Sequence, residues 1–526
     1  MIKTDIILDV KYNNEDILTA VATALPVDKS EIRDVRIVKR ALSISDTARP
    51  HYRTTVALSL DPEREAGLLK MRKKVAPYEY PEYTAPTAKL GFRPVVVGAG
   101  PAGLFSALVL AEAGASPIVL ERGLDVDKRE RRVDFFNKTG ILDPECNVQF
   151  GEGGAGTFSD GKLKVGSMDK YKMKVLTELV LAGADPSVLY STDAHVGTDK
   201  LSAAVKLIRE KIISLGGEFI FSARLTDFTV RDGALKSVTY RKDEREVVIE
   251  TEAVIFAVGH SARDTVRMLR SRGLDMSAKG FGVGVRIEHP REYINSIVYK
   301  ESKDIIDATA SYHLVTHLSS GRSVYSFCMC PGGTVVAATS EEGAIVTNGM
   351  SESARMADNS NAALLVSLTP CDFGSPDPLS GIEYQERIER RAFALTDSYK
   401  APFETVGSFL GRGKSDASVT PSYKRGAENI AISEALPDFV TDSLALGICE
   451  FGDWLDGYAL DGAVLTAPET RTTSPVRIER DETGSATGFV GIYPAGEGAG
   501  YAGGIVSSAV DGMHEAEKLL LKFNKK

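Results

Sequence analysis

The chain has 526 residues, a net charge of −9 and a pI near 5.5, so composition makes no electrostatic case for a nucleic-acid partner. Hydrophobic residues are 43% of the chain and charged residues 26%, the balance of a globular protein of roughly two to four domains. The cysteines (Cys146, Cys328, Cys330, Cys371 and Cys449) are too few for a disulfide framework at this length.

The first residues, MIKTDIILDV, lack the apolar run of a signal peptide, so the cytoplasm is the expected compartment. Thr4–Val10 reads as a strand and Asn14–Ala24 as a helix capped by Asn13 or Asn14. Ile32–Ser45 and Arg53–Leu60 read as further strands. Residues 1–88 are therefore expected to form a small α+β domain, with a ferredoxin-like arrangement as one candidate. The proline- and tyrosine-containing segment Tyr78–Pro86 reads as a linker.

Residues Pro94–Gly123 read PVVVGAGPAGLFSALVLAEAGASPIVLERG. Strand Val95–Val97, a glycine turn, helix Leu104–Ala113, strand Pro117–Leu120 and an acid follow in order. Gly98, Gly100 and Gly103 stand in G-x-G-x-x-G spacing. Gly98 permits the tight turn, Gly100 lets backbone approach a pyrophosphate, and Gly103 lets helix and strand pack closely. The helix N-terminus, entered through Pro101 and Ala102, offers free N–H groups and a positive dipole end. Glu121 follows Gly103 by 18 residues, where a carboxylate can accept from ribose hydroxyls, with Arg122 beside it. A spanning helix is the competing reading of the uncharged stretch Pro94–Ala111, and its three glycines and two prolines argue against that. The turn alone does not choose between NAD(P) and FAD.

Asn147–Leu163, NVQFGEGGAGTFSDGKL, places Gly151, Gly153, Gly154, Gly156 and Gly161 within eleven residues. No regular element favours that density, since each interior glycine costs about 0.5–1 kcal/mol. Close approach to a flavin or pyrophosphate is the favoured use, with Gly153, Gly154 and Gly156 as cofactor contacts. A flexible surface loop is the competing one. Ser159, Asp160 and Lys162 are candidates for polar contact, and Lys162 could stabilise developing negative charge or sit solvated at the surface. A helical excursion over Lys170–Leu215 and a β-meander over Glu218–Glu250 follow. Glu252–Arg263, EAVIFAVGHSAR, is a buried strand ending at Ala257 and Gly259, with His260 next. A flavin hydride step often needs a base, so His260, His195 and His289 are candidates, each set against a structural place.

Residues 276–460 are expected to form a second domain. Its strands are Phe281–Ile287, Ser323–Met329 and Val335–Thr339, and Glu383–Ser398 is a helix. In VYSFCMC, strand period two would put the thiols of Cys328 and Cys330 on one face. They are a redox pair or small buried hydrophobes. No second Cys or His pair sits at zinc spacing, and His313 and His317, four apart, lie in a run, YHLVTHL, that fits a strand as well as a helix, so no metal is expected. Arg286, Glu288 and Arg471 could bind an anionic substrate, Arg471 through a bidentate fork, or pair at the surface. Gly280–Gly284 lacks the spacing of a second dinucleotide motif and leads into a strand. Gly488–Ser507, GFVGIYPAGEGAGYAGGIVS, is a strand, an acid between Gly496 and Gly498, and a glycine-rich entry through Gly503 and Gly504 into helix Ile505–Leu520.

The turn at Gly98–Gly103, the strand end Ala257–Gly259 and the terminal Gly496–Ile505 segment together resemble the FAD-binding domain of the glutathione-reductase-like flavoprotein superfamily. The resemblance implies that Glu497 serves the ribityl–pyrophosphate region and that the Gly503, Gly504 and Ile505 amides face the flavin pyrimidine edge. A helix dipole there would favour anionic reduced flavin. Val258 stands where threonine is usual, and Glu497 where aspartate is commoner. NVQFGEGGAGTFSDGKL, His195–Lys200, Phe327–Gly333, Glu469–Ile478 and GEGAGYAGGI extend the likeness over residues 90–526 to a family of bacterial FAD-dependent dehydrogenases. That family supplies cofactor and fold and no substrate.

The expected class is α/β. A Rossmann-like FAD-binding domain (89–275 and 461–526) is interrupted by an α+β substrate cap (276–460) and preceded by the α+β domain 1–88. The expected activity is an FAD-dependent oxidoreductase that passes a hydride between a small-molecule substrate and flavin N5. Lys162, Cys328, Cys330 and His260 are the catalytic candidates. One alternative is an electron relay through Cys328 and Cys330. Another is electron delivery to a macromolecular partner through the N-terminal domain. NAD(P)H or a protein donor could bind transiently, no membrane span is expected, and the oligomeric state stays open.

Overall fold

The computed structural model describes residues 1–70, 74–163, 169–413 and 419–525. At the N-terminus, strand Ile2–Asp9 is followed by helix Asn14–Ala24, strands Asp34–Ser43 and His51–Ser59, helix Pro62–Leu68 and the two-residue strand Ala76–Pro77. The sheet order is second–third–first–fourth, all antiparallel, which is the ferredoxin-like βαββαβ arrangement. Asn13 caps the first helix by accepting from the Glu15 and Asp16 amides.

Tyr78–Pro86 is a packed strap. Tyr83 and Tyr171 both donate to the Glu517 carboxylate, at 2.9 Å each, and Lys89 N donates to Asn524. The strap therefore ties the start of the nucleotide domain to the last helix of the chain.

Five short strands form a wholly parallel sheet in the order Ile492–Pro494, Val254–Phe256, Val95–Val97, Ile118–Leu120, Glu218–Ile220. Val95–Val97, Ile118–Leu120 and Val254–Phe256 are wholly buried valine, isoleucine, leucine and phenylalanine, as strands covered on both faces require, while the edge strand Glu218–Ile220 is partly exposed. Helix Pro101–Glu112 packs against the C-terminal helix Ile505–Phe523, and the Ser106 hydroxyl donates to Gly512 O at 2.9 Å. The region expected as one meander divides. Glu218–Ile220 joins the parallel sheet, while Arg224–Arg231, Ala234–Lys242 and Arg245–Glu250 form a separate antiparallel sheet.

The cap is built on a seven-stranded mixed sheet. Its order is Val315–His317, Ser323–Cys330, Asn359–Ser367, Gly282–Pro290, Val464–Glu469, Ala401–Thr405, Ala427–Asn429. Val464–Glu469 lies beyond residue 460, where the return to the nucleotide domain was drawn, yet it is fully buried between Gly282–Pro290 and Ala401–Thr405. The glycines of Gly280–Gly284 serve strand packing. A Cβ on Gly284 would lie 1.9 Å from Leu364 O. Helices Ser380–Thr396 and Asp438–Trp454 cover the sheet. No helix among the described residues is long and apolar enough to cross a membrane.

Candidate active site

The three remote glycine segments converge because their strands are neighbours in the parallel sheet. Ala257 N donates to Val97 O and Ala495 N to Phe256 O, both at 2.9 Å. Each strand therefore delivers its following turn to the same edge. The cleft there has a volume of about 380 Å³. Gly98, with φ +101°, has no room for a side chain, since a Cβ would lie 2.3 Å from Ala257 O. Gly100 caps the helix and, with Pro101 and Ala102, forms one wall. Gly103 does not line the cleft. It packs under the turn, where a Cβ would meet Gly98 O at 1.8 Å.

The glycine-rich loop forms the facing wall through Gly151, Gly154 and Gly156. Gly153 N donates to Ala99 O at 2.8 Å, which joins the loop to the phosphate turn. The space a Gly153 side chain would need is filled by Thr157, so this glycine faces away from the cleft, contrary to its expected contact role. Gly154 and Gly100 face each other bare, and a Cβ on Gly154 would stand 3.1 Å from Gly100 Cα. The loop is shaped by Arg129, which the sequence reading missed. This fully buried guanidinium donates to the carbonyls of Asn147, Val148, Gly151, Glu152 and Gly154 at 2.7–3.2 Å. Burial lowers its pKa to about 10, so it remains charged at neutral pH.

Glu121 ends the second strand and lines the cleft. Its carboxylate already accepts from the amides of Ala99, Gly123 and Gly151 at 2.8–3.0 Å. Three of about four lone-pair sites are thus used, which leaves room for one further hydroxyl and not two. Arg122 lies over the Phe150 ring at 4.1 Å and pairs with Glu145 and Asp264.

At the far end Gly503, Gly504 and Ile505 line the same cleft, with the helix N-terminus opening at Gly504. Glu497 lines it too, and burial raises its pKa to about 8, partly offset by Lys279. Gly496 does not line the cleft. Its amide donates to Asp511, and a Cβ would meet Ala102 Cβ at 2.7 Å. The side-chain-free groove between Gly100 and Gly154, the free amides at two helix N-termini and the carboxylate at a strand end together fit an FAD molecule.

Phe327, Cys328, Asn348, Glu469, Arg471 and Thr472 bring the cap to the opposite side. The strand Ser323–Cys330 does not keep period two. Its register slips between Phe327 and Cys330, Cys328 has φ +40°, and Met329 and Cys330 are both buried. Cys328 therefore opens to the cleft, and Cys330 sits behind it. Arg286 is fully buried. It grips Glu469 at 2.7 and 2.8 Å and donates to Cys328 O at 2.9 Å. It is a support for Cys328 and not a free anion receptor.

Lys162 is half-buried in the cleft wall, and burial lowers its pKa. Ser159 also lines the cleft, but Asp160 turns away to pair with Arg355 at 2.7 Å and with Ser351. That contact fastens the glycine loop to the cap. His195 bridges Lys162 through backbone pairing and is hydrogen-bonded to Ser353 O.

His260 lines the cleft next to a buried charge cluster. Burial and the Arg471 and Arg263 guanidiniums push its pKa down to about 3, so it is a weak base. Arg471 does make a bidentate fork, but onto Glu389 (3.1 and 2.8 Å), and Arg263 forks onto the same carboxylate at 2.8 Å twice. Glu288 binds Ser422 and Asn359, and His289 is buried against Tyr458 O. Neither lines the cleft.

Residues 280–472 match the family model described as FAD-dependent protein, C-terminal domain-like, and residues 93–140 match that of an FAD binding domain. An uncharacterized protein of Clostridium beijerinckii is 45% identical over 510 residues, which is 95% of each chain. Among solved structures, the E. coli quinol fumarate reductase is 13% identical, with 82% of this chain and 70% of that one covered and a TM-score of 0.37. A 3-ketosteroid dehydrogenase of Rhodococcus jostii RHA1 is 13% identical, with 85% and 100% covered and a TM-score of 0.34. The chain belongs to the family of the clostridial protein, and its two domain matches make it an FAD-dependent oxidoreductase.

Proposed function

We propose that the protein is a dehydrogenase or reductase of the glutathione-reductase-like flavoprotein superfamily, acting on a small molecule held between the nucleotide domain and the cap. The observation that carries this reading is the two-sided cleft. Phosphate turn, strand end and terminal helix line one side, and a separate folded unit closes the other. FAD, when bound, supplies hydride transfer to and from a substrate carbon.

The chain's own residues bind, orient and exclude water. The first-turn amides of Pro101–Glu112 would receive the pyrophosphate of FAD, and Glu121 would position a ribose. The helix opening at Gly504 favours negative charge at its N-terminus. Lys162 is the cation best placed to steady charge that develops on the substrate side. His260 is a hydrogen-bonding residue in this scheme, since a base with its pKa near 3 holds no proton at neutral pH. The cap residues Phe327 and Thr472 line the substrate side of the cleft.

Anaerobic photoreduction followed by stopped-flow reoxidation against a metabolite panel, with NADH and NADPH as donors in the reverse direction, tests the reading. A small-molecule acceptor should reoxidise the flavin, and no acceptor doing so would count against it. The Gly100→Val variant should purify colourless, because its methyl groups enter the gap facing Gly154. Retention of full flavin absorbance would contradict the placement.

A further inference from the structure

Two thiols meet in the cap wall of the cleft. Cys328 faces the cavity and Cys330 lies fully buried behind it, its Sγ donating to Cys328 O at 3.3 Å. Both are free. Cys328 is one of nine non-glycine residues with positive φ among the described residues, and strain of that kind persists only where surroundings enforce it. Here Arg286, locked on Glu469, holds the Cys328 carbonyl, and the bulge turns the thiol out of the sheet.

We propose that Cys328 and Cys330 are a dithiol–disulfide pair, with Cys328 attacking and Cys330 resolving, and that the substrate this cleft serves is a disulfide. The proposal rests on the reading of the cleft as the substrate site of a flavoprotein. The electrostatics agree with this division of labour. The neighbouring Cys330 thiol holds the Cys328 thiol below its usual range, with Arg286 and Lys162 adding to it against burial and Asp160. Cys328 in turn, with burial, holds the Cys330 thiol above it. Glu469 and Glu497 are the other titratable groups near Cys328. An attacking thiolate in an accessible place with a protonated neighbour behind it is the arrangement that exchange chemistry requires.

The steps balance. Cys328 thiolate attacks one sulfur of the substrate disulfide, an S–S bond breaks, and the first thiolate leaves and takes a proton from solvent. Cys330 loses its proton and attacks Cys328 Sγ, which forms the Cys328–Cys330 bond and releases the second thiolate. The substrate gains two electrons and two protons; the pair loses two electrons and the Cys330 proton, and solvent supplies the second proton, the one Cys328 gave up on ionising. A single turnover from the dithiol needs no other reductant, and reduced FAD, charged by a two-electron donor, is the reductant that restores the pair.

The test uses full-length, FAD-loaded protein with the exposed Cys371 and Cys449 changed to serine, reduced, desalted and kept anaerobic. The probe is 5,5′-dithiobis(2-nitrobenzoate), read by thionitrobenzoate release and by peptide mass. The Cys328–Cys330 peptide should lose two hydrogens while both thionitrobenzoate halves of one probe molecule are released. Cys330→Ser should stop after one half and keep the other on Cys328, and Cys328→Ser should remove the fast phase. Brief alkylation of the protein with both thiols intact should mark Cys328 before Cys330. An adduct that persists on Cys328 with Cys330 present, or alkylation of Cys330 first, would overturn the proposal. Flavin absorbance in the same samples reports separately on the cofactor reading, because exchange at these thiols does not require bound FAD.

Discussion

Burial in the cleft wall works against the Glu497 carboxylate, and Lys279 gives it only partial relief. Its folded pKa of about 8 exceeds the ordinary value of 4.5, so the folded protein holds a proton there that the unfolded chain gives up. The sign follows from linkage. The stability tied to this proton is complete below 4.5 and is lost as pH rises through about 8. Glu497→Gln should therefore raise the Tm of flavin-free protein at pH above about 8 and leave it nearly unchanged below 4.5, as read by calorimetry across a pH series. The acid's position was legible in GEGAGYAGGI. Its protonation was not, because burial depends on what covers it. The same holds for Gly98 and Gly100, readable from spacing, against Gly103, Gly153 and Gly496, which serve the turn or its packing behind the cleft wall.

At the scale of an element, the glycine loop is the clearest case of a structure held by a residue outside it. Glycines with φ of +122°, +85° and +62° at 151, 153 and 154 make the path possible, and Arg129 makes it definite by taking five carbonyls. Arg129→Met should cost at least about 3 kcal/mol, since several buried acceptors lose their partner at once. Urea denaturation would measure that loss, and flavin content should fall with it. Sequence reading passed over Arg129 because a lone arginine in a helix reads as surface charge, and in fact the helix Val126–Thr139 is mostly exposed. The strand at Cys328 is a second case. Alternation predicted one face for both thiols, and a bulge, which leaves no trace in residue spacing, separated them.

For the whole molecule, the decisive feature is how the cap is fastened to the nucleotide domain. Arg263, on the helix after the Ala257–Gly259 turn, and Arg471 both fork onto Glu389 of the cap helix, and Glu389 is held well below the ordinary carboxyl range by those two guanidiniums despite its burial. Glu389→Ala would leave two buried guanidiniums with the half-exposed Glu341 as their nearest shared carboxylate and should cost about 3 kcal/mol. Chemical denaturation would show the loss, with the cap transition separating from the flavin signal. The strap gives a second expectation. Removing residues 1–77 should leave flavin binding intact, whereas removing 1–88 also deletes Tyr83 and its bond to Glu517, and should lower the Tm further. Comparing the two truncations by thermal melting distinguishes strap from domain.

The amino-acid sequence by itself determined the nucleotide strand–turn–helix, the class of the N-terminal domain and the discontinuity of the FAD-binding fold. Those follow from local patterns: glycine spacing, apolar runs and helix entry signals act over a few residues. Only the tertiary structure decided which glycines touch the cleft, why Arg129, Arg286 and Glu389 matter, and that Cys328 faces the cavity while Cys330 does not. Each of those depends on groups far apart in the chain meeting in a low-dielectric interior, where a buried charge or thiol takes its character from its neighbours.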